Sequence, residues 1–142
     1  MRGNLRACPK LFNIFEVDLF VLPLALIYKY LYIASMKLLK LIGSSEDDLS
    51  EFPKGAKGAA GHELWQVQLD LMPSDWKPML NIGAGAYEIR IHVLGEWRVI
   101  YVAKFADAVY VLHAFQKKTQ QTRKEDIALA TARYKLLKEI AK

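Results

Sequence analysis

The chain has 142 residues and a single cysteine, Cys8. It cannot form an internal disulfide, and no zinc site can be assembled from thiolates. Histidine is scarce too. His62, His92 and His113 stand at no spacing that suits metal ligation. Neither a metal nor a cofactor is expected. There is no internal repeat and no low-complexity tract, which excludes solenoids and arrays. Long apolar runs are also missing. The longest uncharged one, residues 19–28, is about half the ~20 residues that a membrane span needs, and Pro23 and Lys29 weaken it. Gly83 and Gly85 do not make a phosphate loop. They precede a strand, and no Gly-Lys-Ser/Thr comes after them.

The residues that are present fit a folded domain. The chain is 53% hydrophobic and 25% charged, a balance that excludes global disorder. Its net charge of +5 permits a polyanionic partner without requiring one. The residues suit a reducing cytosol, so a cytoplasmic location is expected.

Residues 1–35 differ in character from residues 36–142. A basic, irregular start leads into a strongly apolar and aromatic stretch. A signal peptide is one reading. Against it, Glu16 and Asp18 interrupt the approach, and Tyr28-Lys29-Tyr30 is a poor cleavage region. A membrane anchor is another, limited by the short apolar run. A third places the real start at Met36, which opens MKLLKLIG. The expected organisation is a leader at 1–35, as an apolar helix of low specificity if it is made, and one domain at 36–142.

Within that domain, residues 37–42 read as a strand bounded by Gly43. Ser45 with Asp48 resembles a capping box for a short helix that Pro53 stops. A second helix is expected from residue 53 or 54 to 72, with Ala60, Leu64, Val67 and Leu71 at helical spacing and Pro73 ending it. Residues 73–86 read as a flexible loop. Residues 87–93 alternate strictly. Tyr87, Ile89, Ile91 and Val93 face one side, and Glu88, Arg90 and His92 face the other. Residues 97–103 have the apolar character of a central strand, and 108–116 form the last strand. The short reversals between them imply antiparallel hairpins. Thr122 with Glu125 resembles a second capping box. It opens a final helix over about 123–141, with an apolar stripe of Ile127, Ala130, Tyr134 and Leu137. The expected fold class is α+β: an antiparallel sheet of about four strands with two N-terminal helices and a C-terminal helix. The helices are expected on one face, leaving a basic face open.

The words YEIRI, WRVIYVAKF and VYVLHAFQKKTQ, with a helix after them carrying Ala130 and Arg133, give the chain a family likeness. From Met36 to Ile140 it resembles toxins of the RelE/HigB superfamily, specifically the phage-derived Gp49-like branch of type II toxin–antitoxin systems. The resemblance implies a RelE-like fold. It also implies a metal-independent endoribonuclease, an mRNA interferase that cuts mRNA on the ribosome and inhibits translation. In that chemistry the RNA's own 2′-hydroxyl attacks and leaves a cyclic phosphate. The implied partners are a cognate helix-turn-helix antitoxin, the ribosome and mRNA, with no membrane for residues 36–142. Two alternatives stand beside it. One is a non-catalytic protein of the same fold that binds antitoxin or nucleic acid. The other is a membrane-anchored small protein, suggested by the leader.

Attack by an internal hydroxyl needs a base, an acid and cations for the phosphorane. Arg98 matches the family's Gly-x-Arg position with an offset of one, and its neighbours Trp97, Val99 and Ile100 are apolar. Arg90 and His92 share the polar face of the preceding strand. Arg98, Arg90 and His92 are therefore the expected catalytic residues. Lys117 and Lys118 leave the last strand where the superfamily carries a basic residue. With Arg123 they are expected to bind RNA. His113 is expected in the core, on the side shared by Val109 and Phe115. Tyr134, Trp65 and Trp97 are also expected in the core, and His62 outside it. Trp76 is open between packing and stacking on a base.

Overall fold

The alternating strands do build one sheet, and each of its faces carries an apolar layer. A computed structural model describes residues 24–141 of the chain. The sheet order is β1 (Leu38–Leu41), β5 (Ala108–Gln116), β4 (Trp97–Val102), β3 (Ala86–Ile91) and β2 (Trp76–Pro78). The last four pair antiparallel, whereas β1 runs parallel to β5. The α+β class is as expected. The count is corrected from about four strands to five, and the sheet is mixed, because β1 returns through two helices instead of a hairpin. These helices are α2 (Ser45–Ser50) and α3 (Lys54–Gln68), and α4 (Lys124–Ile140) closes the chain.

Two core layers explain why β4 and β5 are buried almost throughout. Ile89, Ile91, Val99, Tyr101 and Val111 face α3, which contributes Ala56, Ala60, Leu64 and Val67. On the opposite face, Ile100, Val102, Tyr110 and Leu112 meet Ala130, Tyr134 and Leu137 of α4. The expected open basic face is therefore only partly present: helix α4 covers the β5 side of that surface, whereas Arg90 of β3 and Lys77 of β2 stay partly exposed at its other end.

A β-bulge upsets the parity of β5. Ile100 pairs with His113, but Tyr101 pairs with Val111, so Leu112 is the extra residue. Val109 and Phe115 consequently belong to opposite core layers, not to one side. Arg133 of α4 donates to the bulged Leu112 carbonyl at 2.8 Å and to Ser44 Oγ at 2.9 Å. The family-like Ala130 and Arg133 are thus accounted for by packing and bulge support.

Several local expectations change. Helix α3 stops at Gln68, before Pro73, because Asp70 turns left-handed at φ 63. Gln68 Nε2 then donates to the Lys37 carbonyl at 2.7 Å, tying the helix end to the start of β1. Neither capping box forms, since α2 and α4 have no side-chain cap hydrogen bond. Ser45 is buried instead, and its hydroxyl donates to the carbonyls of Ile42 and Val111. Trp65 is 49% exposed, not in the core, whereas Trp97 is buried against Phe52. Trp76 lies edge-on to Tyr87 on the outer strand.

The 79–86 connection is tighter than a flexible loop. Gly83 lies against the buried ring of Tyr134, whose hydroxyl donates to the Ala84 carbonyl at 2.7 Å. A Cβ on Gly83 would overlap that ring. Gly83→Ala is expected to destabilise the fold by ~1–3 kcal/mol through overpacking, read by chemical denaturation. An unchanged midpoint would contradict this contact.

The chain divides into two units between Met36 and Lys37. In the first, α1 (Leu24–Ala34) is apolar on nearly all sides, with Leu24, Tyr28 and Leu31 exposed. The basic start, Glu16, Asp18 and residues 19–23 lie outside the described residues, whereas Tyr28-Lys29-Tyr30 lies within α1. Among the described residues, no helix is long and apolar enough to cross a membrane.

Candidate functional site

Strand register places Arg90 of β3 directly opposite Arg98 of β4. Two like charges across a sheet repel, so something must hold them there. Glu88, one position along the same face of β3, is only 1% exposed. Its Oε1 lies 3.8 Å from Arg90 Nε, 3.7 Å from Arg98 Nε and 3.9 Å from Lys77 Nζ. One buried carboxylate thus faces three cations. Its Oε2 and the Nε of Arg98 have no hydrogen-bond partner. Attraction here is electrostatic across short gaps and not a set of aligned hydrogen bonds.

The charges continue into a closed circuit. Arg98 is itself buried, at 5% exposure; it donates through Nη2 to Glu96 Oε1 at 3.0 Å and through Nη1 to the Trp97 carbonyl at 2.9 Å. Glu96 Oε2 lies 2.7 Å from His92 Nδ1, and His92 Nε2 lies 2.8 Å from Asp75 Oδ2. Asp75 Oδ1 closes the circuit at 3.6 Å from Arg90 Nη1. The backbone braces both sides: Arg90 N–H donates to the Asp75 carbonyl, and Lys117 N–H donates to the Glu96 carbonyl. The hairpin itself turns through Leu94 and Gly95, both at positive φ. Only glycine adopts the φ of 126° at position 95 without strain.

Both ring nitrogens of His92 face carboxylates. Carboxylates only accept, so this arrangement suits the imidazolium, which donates from both. The Asp75 hydrogen bond, followed by that of Glu96, raises the His92 pKa above 6.5. The His92 hydrogen bond, followed by that of Arg98, holds the Glu96 carboxyl below 4.5. The raised histidine contributes fully below its unfolded value and is lost as pH rises past its folded value. The lowered carboxylate contributes fully above its unfolded value and is lost as pH falls. The clamp is therefore strongest between about pH 4.5 and 6.5. An NMR titration is expected to place His92 above 6.5, and Asp75→Asn to lower it. A His92 value at or below 6.5 in the unaltered protein would contradict the clamp.

The three expected catalytic residues, Arg98, Arg90 and His92, thus come together in one network. They do not form a free cationic surface, because Asp75, Glu88 and Glu96 neutralise most of their charge. The three expected RNA-binding residues are separated. Lys117 lines a groove of about 310 Å³ beside Lys77. Lys118 and Arg123 line a different cleft of about 400 Å³. Glu88 was legible as a face-mate of Arg90. Asp75 and Lys77 were not, since the three-residue strand β2 carries no periodic signal. His113 is buried as expected, but it is bonded to Asp126 of α4 at 2.8 Å, a partner that no spacing indicated.

A mostly antiparallel sheet wrapped by helices, with paired arginines at one hairpin, defines a small α+β domain of RelE-like form. The family described as phage-derived protein Gp49-like (DUF891) matches residues 47–135, more than half of the chain, and the chain belongs to that family. This agrees with its likeness to the Gp49-like branch of RelE/HigB toxins, and membership points to a phage-derived protein related to toxin–antitoxin systems. No curated protein matches the chain.

Proposed function

We propose that this protein is the toxin of a type II toxin–antitoxin system and cleaves mRNA on the ribosome in the cytoplasm. The observation that carries the reading is the Arg90–Arg98 pair, held side by side by Glu88 with His92 at its rim. Paired guanidinium groups suit the extra charge of a phosphorane, because their planar forks donate in parallel and stay charged. Arg90 and Lys77 are the accessible cations, with side chains 35% and 42% exposed, and would meet the phosphate first. Arg98 acts from the floor. His92, half exposed and hydrogen-bonded to two carboxylates, would donate its proton to the departing 5′-oxygen as the 2′-hydroxyl attacks and gives its own proton to one of those displaced carboxylates, Asp75 or Glu96. Asp75 and Glu96 must swing aside, and both are exposed enough to do so. Lys117, Lys118 and Arg123 would grip flanking phosphates of mRNA or ribosomal RNA. A helix-turn-helix antitoxin would neutralise the toxin.

One observation favours a non-catalytic binder of the same fold: the three carboxylates already occupy the cations that a phosphate needs. Induction of the full chain without its antitoxin distinguishes the two readings. Pulse labelling is expected to show arrested protein synthesis. Undiminished labelling at verified expression would rule out the toxin.

A further inference from the structure

A second concavity lies on the far side of the 116–118 segment. Strand β1 pairs only with residues 108–111 of β5, and α2 packs beside the rest of that strand. The resulting cleft of about 400 Å³ falls in the ~300–1,000 Å³ range of small-ligand sites. Asp48 of α2 and Glu51 at its C-terminal cap form an acidic wall, and Lys118 and Arg123 form a basic one. Buried rings of Trp97, Phe115 and His113 lie between them, with His113 stacked on Phe115 at 5.0 Å.

His113 is the informative residue. Its side chain is 8% exposed, and Nε2 lies 2.8 Å from Asp126 Oδ1. Arg123 Nε holds the other oxygen of Asp126 at 3.1 Å. A carboxylate only accepts, so Nε2 carries a proton. Nδ1 has no hydrogen-bond partner. It faces Asp48 Oδ2 across 3.7 Å, beyond hydrogen-bond reach. Nδ1 is thus a buried polar atom without a partner on the cleft wall, which is costly, and beside it Asp48, which accepts from Ser44 Oγ at 3.0 Å, keeps further acceptor capacity. An N–H group of a ligand in the cleft would find an acceptor in the Asp48 carboxylate.

The cleft thus asks for N–H donors at its acidic wall and an anion at its basic rim, with flat rings between. A nucleotide has this combination. Among the four RNA bases, only guanine offers two adjacent N–H groups, N1–H and N2–H, on its Watson–Crick edge. Uracil places carbonyls beside its single N–H, and these would meet the carboxylates unfavourably. We propose that this cleft binds one nucleotide of single-stranded RNA and prefers guanine, with the phosphate on Lys118 and Arg123. The proposal rests on the RNA-directed reading above and adds the base selected.

Titration of the full chain with 5′-GMP, AMP, CMP and UMP, followed by NMR, tests it. GMP is expected to move the ring resonances of His113 and Trp97 and to bind about tenfold more tightly than UMP, as a paired hydrogen bond to a base edge provides. Asp48→Asn should remove that preference, and Lys118→Ala should weaken all four nucleotides alike. Glu51→Gln, on the exposed part of the same wall, should reduce the preference and decides the matter if Asp48→Asn fails to fold. Equal binding of all four, or a guanine preference indifferent to both wall variants, overturns the proposal. Guanine-selective binding by a chain that leaves mRNA intact sustains the cleft and overturns only the cleavage reading. Cleavage without any nucleotide preference overturns only the cleft.

Discussion

Glu88→Ala is expected to cost ~3–5 kcal/mol of stability, the range for stranding a buried charge. That is a large share of the ~5–15 kcal/mol that holds a small domain folded. The cause is specific. Arg98 is buried beneath the hairpin and faces Arg90 across the β3–β4 ladder. Removing Glu88 leaves Lys77, Arg90 and Arg98 converging on an uncharged void. The exposed Glu96 can still pair with Arg98, but water screens that pair and it cannot replace the buried one. Glu88→Gln keeps the shape and loses the charge, so it should fall between the two. Denaturant midpoints measured on the three proteins check the order. If Glu88→Ala is as stable as the parent, Glu88 is not the hub of this network.

Arg90→Ala and His92→Gln are expected to lower mRNA cleavage by ~10²–10⁴-fold each, the span associated with lost acid catalysis or a lost phosphate contact. Both side chains are partly exposed and at the rim, so the fold should survive their replacement. This separates them from Arg98, whose loss would confuse catalysis with stability. The two effects should not add fully, because both residues are joined through Asp75. Substitution of Trp65, exposed on α3, should leave cleavage unchanged and serves as a surface control.

Much of the scaffold was legible because β3 alternates with period two and β4 is apolar apart from Arg98. Those patterns place Ile89 and Ile91 in the core and Glu88 beside Arg90. The family likeness was legible from the strand words and holds over residues 47–135. Other features depended on tertiary context. Strand β2 has three residues and exists because Trp76, Lys77 and Pro78 meet Ile89, Glu88 and Tyr87 across the chain. The bulge at Leu112 inverted the expected parity of β5, and its carbonyl partner, Arg133, lies 21 residues away. The open basic face was inferred from Arg90, Arg98 and the lysines after β5. It is narrower than expected because Ala130, Tyr134 and Leu137 of α4 cover its β5 side and Glu88 neutralises the arginines. Likewise, Arg98 was recognised as a charge that needed a reason, but its partners Glu88 and Glu96 are fixed by register and not by spacing.

Primer extension on mRNA recovered from an in vitro translation reaction tests most directly whether the Arg90–Arg98–His92 network cuts RNA. With the full chain added, codon-positioned cuts are expected, and they should disappear with Arg90→Ala and His92→Gln. Intact mRNA in the presence of the folded protein would contradict cleavage by this network and leave the fold as a binder of antitoxin or nucleic acid.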